Sequence, residues 1–167
     1  MSADRLRVRP ARTDDDPTLL LLDRYAWPPG TGFPSFRERV REQASFFDEQ
    51  DTPESHLVAE LNGAVVGYVR LRPGSHVPEA AHVFGIFGLV VAESARRLGT
   101  ASALLRAAET YVRERGGRRL FLHVLATNPV AQRVYERHGY VVEGRHRAAF
   151  LIDGAYVDDI TMAKLLR

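Results

Sequence analysis

The chain has no cysteine among its 167 residues. Disulfides, a thiolate nucleophile and cysteine-ligated zinc are therefore excluded together, and no metal site is expected. Its single lysine is Lys164, so a phosphate loop of the form Gly-x-x-x-x-Gly-Lys is absent; so is Gly-x-Gly-x-x-Gly. Net charge is small: 23 basic residues against 21 acidic ones leave +2. The arginines alternate with acids instead of forming a basic run, which argues against nucleic acid as a partner. There is no apolar signal segment and no apolar stretch long enough to span a bilayer, so no membrane partner is expected and the cytoplasm is the expected compartment. Repeats and low-complexity linkers are missing too. With 45% hydrophobic residues, the chain is expected to bury one core as a single domain over residues 1–167.

What the chain does have is a sequence of well-punctuated elements. Leu6 to Pro10 reads as a short strand, Thr13 to Pro17 as a capping cluster and Leu19 to Leu22 as the apolar part of a helix ending before Pro28-Pro29-Gly30. The loop from Trp27 to Pro34 leads into a helix expected over Ser35 to Gln50. Asn62-Gly63 between His56–Glu60 and Ala64–Leu71 is the strongest short hairpin signal in the chain. A central strand over His82–Val91 contains Gly85 and Gly88, which mark a bulge or a close backbone approach. Leu98, Ala101, Leu105, Ala108 and Val112 form a helical stripe, with Arg106, Glu109 and Arg113 on the outer side. Strands are expected at Leu120–Leu125 and, as a closing hairpin turning at Asp153-Gly154, over Tyr140–Ile152 and Ala155–Leu165.

Two segments suggest chemistry. In Leu89 to Ala101 an apolar strand passes through a basic turn, Arg96-Arg97-Leu98-Gly99, into a helix. Gly99 allows close backbone approach, and the N–H groups of the first helical turn favour an anion. The second segment is Asn128-Pro129-Val130-Ala131-Gln132-Arg133-Val134-Tyr135-Glu136-Arg137-His138-Gly139-Tyr140. Asn128 suits an N-cap, Pro129 the first helical position and Gly139 the stop, leaving Ala131, Val134, Tyr135 and His138 on one face.

Arg-x-x-Gly-x-Ala followed, one helix and one strand later, by Asn-x-x-Ala-x-x-x-Tyr-x-x-x-Gly-Tyr resembles the paired signatures of the GNAT superfamily of N-acetyltransferases. The likeness runs in order over nearly the whole chain and is strongest from Leu89 to Tyr140. It implies an α/β (α+β) fold: a mixed, mostly antiparallel sheet of about seven strands, a splayed central strand pair, and helices on both faces. It implies acetyl-CoA as cosubstrate, held by Leu89, Val90, Val91, Arg96, Arg97, Leu98, Gly99, Thr100, Ala101 and Ser102, with Asn128, Ala131 and Tyr135 completing the site. A backbone N–H near Val91 would polarise the thioester carbonyl, and Tyr135 would face the sulfur and protonate the leaving thiolate.

The acceptor implied is a primary amine of an amino acid, a polyamine, another small amine or a peptide N-terminus. Where many relatives carry a glutamate base on the central strand, this chain has Phe87. Imidazole, with an ordinary pKa of about 6.5, suits removal of an ammonium proton, which makes His123 and His82 the catalytic candidates beside Tyr135; Glu60 and Glu79 rank below them, and a base acting through water or no dedicated base at all are the other readings. Tyr25, Trp27, Phe33, Phe36, Phe46 and Phe47 either wall the acceptor side or belong to the core. A non-catalytic acyl-CoA sensor and a protein lysine or N-terminal acetyltransferase stand as alternatives, and any self-association is expected to give a homodimer.

Overall fold

The computed structural model describes residues 5–167. Seven strands form one sheet: β1 (Leu6–Pro10), β2 (His56–Leu61), β3 (Ala64–Pro73), β4 (Val83–Val91), β5 (Arg119–Leu125), β6 (Val141–Ile152) and β7 (Ala155–Leu165). Their order across the sheet is β1-β2-β3-β4-β5-β7-β6. Every neighbouring pair is antiparallel except β4 and β5. Four helices complete the fold: α1 (Asp16–Tyr25), α2 (Pro34–Glu42), α3 (Thr100–Glu114) and α4 (Pro129–Arg137).

The strand alternation feeds two cores, because the central strands are covered on both faces. Leu57, Ala59, Val69 and Leu71 pack with Leu104, Leu105, Ala108 and Val112 of α3 on one side. Val58, Tyr68 and Val90 pack with Leu19, Leu20 and Val40 of α1 and α2 on the other. Asn62 and Gly63 both have positive φ (53° and 88°). That is the requirement of a two-residue hairpin turn whose twist matches its strands.

The feature that creates the site lies between β4 and β5. Leu71 of β3 faces Ile86 of β4, but Arg70 faces Gly88, so Phe87 is an extra, bulged residue. The parallel pairing of β4 with β5 runs from Val83 and Arg119 only as far as Ile86 and Leu122. From the bulge onward the two strands separate into a V, leaving the β5-facing edge of Phe87–Val91 unpaired with β5.

Three sequence expectations are corrected. The helix expected over Ser35–Gln50 ends at Glu42, and Gln43 is extended. The Asp16 carboxylate accepts from the Ser45 hydroxyl and from the N–H groups of Phe46 and Phe47, while Asp48 accepts from Gln50 and Asp51. Side-chain acceptors thus capture the donors that a longer helix would use. The stripe of α3 is also shifted: Thr100 and Leu104 are buried with Leu105, Ala108 and Val112, whereas Leu98 precedes the helix and is 50% exposed. Glu109, placed outside by the pattern, is buried because Lys164 (2.7 Å) and Arg113 (3.4 Å) pair with it. Asp15 does cap, accepting from the Arg12 N–H at 2.7 Å, and it also belongs to a partly buried ion-pair cluster in which its bond to Arg9, first of all, lowers its carboxyl below the ordinary range.

Candidate active site

A cavity of about 580 Å³ passes through the V. Its lining comes from the α1–α2 connection (Trp27, Phe33), α2 (Phe36, Arg39), β3 (Tyr68, Arg70), the bulge (Phe87, Gly88, Leu89), β5 (His123), α4 (Asn128, Ala131, Tyr135) and the β6–β7 hairpin (Phe150, Asp159). The splayed strands therefore join two half-sites, one on each face of the sheet.

On the α3/α4 side the backbone makes the site. Gly99 is the N-cap of α3, has φ +81° and supplies no side-chain cap. The first helical bond is donated by Ala103 to the Gly99 carbonyl, so the N–H groups of Thr100, Ala101 and Ser102 lie ahead of the intrahelical ladder. A Cβ built on Gly99 meets nothing within 4 Å. This is an open, donor-rich helix start that suits a phosphate.

Neighbouring side chains have structural duties that the motif alone did not separate. Thr100 is buried and donates to the Ala95 carbonyl at 2.9 Å. Arg96 ties its guanidinium to the carbonyls of Val91 (3.3 Å) and Ala26 (2.5 Å), clamping the end of β4 to the end of α1. Arg97 has φ 63° and is exposed. Leu98 is exposed, and the Val90 side chain is buried in the α1/α2 core, so of the β4 trio only Leu89 lines the cavity. Ser102 is hydrogen-bonded to His138 at 2.8 Å.

At the start of α4 the Asn128 side chain accepts from the N–H of Ala131 at 3.1 Å, fixing the helix entry beside the V. One turn on, Tyr135 is 8% exposed. Burial pushes its phenol up to about 12, and its hydroxyl makes no hydrogen bond within residues 5–167. A phenol in that state stays protonated at neutral pH and keeps a proton to donate.

The α1/α2 side carries the polar chemistry. His123 faces Thr161 across β5 and β7, which places Asp159 two residues along on the same face, and His123 Nδ1 lies 2.6 Å from an Asp159 carboxylate oxygen. The carboxylate favours the tautomer with hydrogen on Nδ1, leaving Nε2 as the basic nitrogen. Tyr68 donates to Asp23, whose carboxyl is pushed up by burial. His56, fully buried, is bonded through Nδ1 to the Thr52 carbonyl (2.8 Å) and through Nε2 to Arg70 Nε (3.0 Å). Burial pulls its pKa down to about 4, so it is neutral and Nε2 accepts from Arg70.

The structure divides the sequence candidates. Tyr135, His123, Asn128, Ala131 and Leu89 converge on the cavity. His82 does not: it precedes β4, is exposed, and its carbonyl accepts from Arg118 and Arg119 at the paired end of β4 and β5, away from the V. Glu60 is bound by Arg7 and Arg9. Among the aromatics, Trp27, Phe33 and Phe36 wall the cavity, whereas Phe46 belongs to the core and Tyr25 is 79% exposed. Asp159, Tyr68, Arg70, Arg39 and Phe150 were missed. A cross-strand partner such as Asp159 becomes visible only when β5 and β7 are placed in register.

A splayed β4–β5 pair with an anion-receptive helix start on one face and a polar pocket on the other defines an acyltransferase-type fold. The model of the acetyltransferase (GNAT) family matches residues 19–140, and the chain belongs to that family. It is 30% identical over 142 residues to an N-alpha-acetyltransferase of Sulfurisphaera tokodaii, covering 80% of this chain and 79% of that protein. It is 33% identical over 113 residues to the L-amino acid N-acetyltransferase AaaT of Escherichia coli, covering 65% and 67%. It is 35% identical over 107 residues to a mycothiol acetyltransferase of Cellulomonas flavigena, which covers 61% of this chain but only 30% of that protein's length. Among solved structures, the putative acetyltransferase yncA of Salmonella typhimurium with its cofactor acetyl-CoA superposes with a TM-score of 0.78 over 98% of this chain and 95% of that one, at 15% identity.

Proposed function

We propose that the protein is an N-acetyltransferase that moves the acetyl group of acetyl-CoA to a primary amine by direct attack. The observation that carries this reading is the V between Phe87–Val91 and His123–Leu125, whose cavity brings Asn128, Ala131 and Tyr135 of α4 together with the His123–Asp159 pair, while the Gly99 helix start lies outside its lining. Acetyl-CoA laid through the V has its diphosphate at Thr100–Ser102 and its pantetheine arm along the free edge of β4, as an added strand would lie. A backbone N–H of that edge polarises the thioester carbonyl.

His123 Nε2 takes a proton from the acceptor ammonium, directly or through water, and Asp159 stabilises the imidazolium formed. The neutral amine then attacks the carbonyl carbon, the C–N bond forms and the C–S bond breaks. Tyr135 gives its proton to the departing sulfur, and the N–H proton released as the amide forms restores the phenol. Its position in the cavity and its protonated state favour turnover over a sensor that only binds acyl-CoA. Purified protein given acetyl-CoA and a panel of amines should release free thiol only when an acceptor is present, with the acetylated amine detected by mass. Coenzyme binding without release across the panel would refute the transferase reading in favour of the sensor.

A further inference from the structure

The acceptor half of the cavity carries an imbalance of charge. Two guanidiniums line it, those of Arg39 and Arg70. Within residues 5–167 Arg39 has no acidic partner; it rests 5.3 Å over the Phe36 ring and is exposed. Arg70 is held entirely through Nε, which lies 3.0 Å from His56 Nε2 and 3.3 Å from an Asp51 oxygen. Its planar group lies 5.5 Å over Phe46 and 6.0 Å over Tyr68. Among the described residues neither terminal Nη group makes a hydrogen bond, in a side chain that is only 13% exposed. Asp51 is bound also by Arg72, and the one carboxylate lining the cavity, Asp159, is engaged by His123.

A guanidinium fork held at Nε, with its Nη groups free on a largely buried side chain, matches a planar carboxylate. The remaining walls are apolar: Trp27 and Phe36 meet edge to face at 5.6 Å, and Phe33 and Phe150 at 4.8 Å. Resting on the transferase reading above, we propose that the acceptor is a free amino acid with a large apolar or aromatic side chain. Its carboxylate pairs with Arg70, Arg39 supplements the charge at the mouth, and its side chain fills the aromatic wall. Gly88, opposite Arg70 in the β3–β4 register, adds no side chain between that anchor and the bulge where the thioester is presented. His56 is then a positioning residue: neutral and bonded on both nitrogens, it fixes the rotation of the Arg70 guanidinium.

Acetyl transfer to phenylalanine should be compared with transfer to phenethylamine, phenylalaninamide, a Phe-Ala dipeptide and spermidine, in the wild type, Arg70→Gln and Arg39→Gln. Acetyl-CoA affinity is measured for each by calorimetry. The expected result is a preference for phenylalanine over its carboxylate-free analogues. Arg70→Gln should raise KM for phenylalanine roughly 30-fold or more while shifting phenethylamine less than threefold, with acetyl-CoA affinity unchanged. Arg39→Gln, at an exposed position of α2 and safe to fold, should raise KM for phenylalanine several-fold in the same selective manner. Equal or better rates with phenethylamine, spermidine or the dipeptide, or acetyl-CoA binding with no turnover of any large apolar amino acid, would overturn the substrate class. Failure to bind acetyl-CoA would instead overturn the transferase reading beneath it.

Discussion

Lowering the pH from 7.5 to 5 should cost the fold about 2 kcal/mol through His56 alone. The magnitude follows from the surroundings of the ring. His56 is fully buried, touches Phe46, Phe47 and Tyr68 at ring-centroid distances of 5.1 to 5.9 Å, and is faced by Arg70, with Asp51 and Arg72 nearby. Burial is the largest influence, and it holds the folded pKa at about 4 against 6.5 for the free side chain. Because the folded pKa is depressed, the unfolded chain binds the extra proton between these limits. The contribution is complete above pH 6.5 and disappears as pH falls through 4. Its full size is about 3 kcal/mol, at about 1.4 kcal/mol per pH unit, of which about two-thirds is lost by pH 5. Urea unfolding of the wild type and His56→Gln at half-unit pH intervals measures it. The wild type should lose about 2 kcal/mol more than the variant across this window. His138, also depressed by burial and by Arg106, is shared by both proteins and cancels. Parallel pH profiles would show that burial does not hold His56 neutral, and the anchoring of Arg70 would fall with it.

Other consequences are as direct. Tyr135→Phe keeps the packing of a buried ring and removes the acid, so kcat should fall about 100-fold or more while acetyl-CoA affinity by calorimetry stays within threefold; unchanged kcat would remove Tyr135 from the chemistry. Gly99→Val places a β-branched residue at φ +81°, costing about 1–2 kcal/mol of backbone strain or a rearranged helix start, and should weaken acetyl-CoA at least tenfold. Equal affinity would dismiss the cradle. Lys164→Ala takes one partner from the buried Glu109, leaving Arg113 at 3.4 Å, and should lower unfolding stability by about 2–3 kcal/mol in urea titration.

Local chemistry made much of the molecule legible from sequence. Asn62-Gly63 and Asp153-Gly154 supply the positive φ values that two-residue hairpins need, and Asn128, Pro129 and Gly139 bound α4 as their capping habits require. The sheet, its splayed pair and the family were reached from the two signatures because both turn on short-range backbone geometry. What escaped depends on partners far along the chain. Asp16 captures N–H groups about thirty residues away and truncates α2; Lys164 draws Glu109 inward across 55 residues. The polar half of the cavity is of the same kind. His123 gains its orienting carboxylate from β7, and Arg70 gains its aim from a histidine on β2, neither of which strand periodicity can report. His82 and His123 have equal standing in composition, yet lie at opposite ends of the region where β4 meets β5.

The central claim is direct transfer between two substrates held together across the V. Initial rates of thiol release, measured over a matrix of acetyl-CoA and acceptor concentrations, test it most directly. Intersecting double-reciprocal lines are expected, since both substrates must be bound before the C–S bond breaks; parallel lines, with thiol released from acetyl-CoA before any acceptor binds, would contradict it.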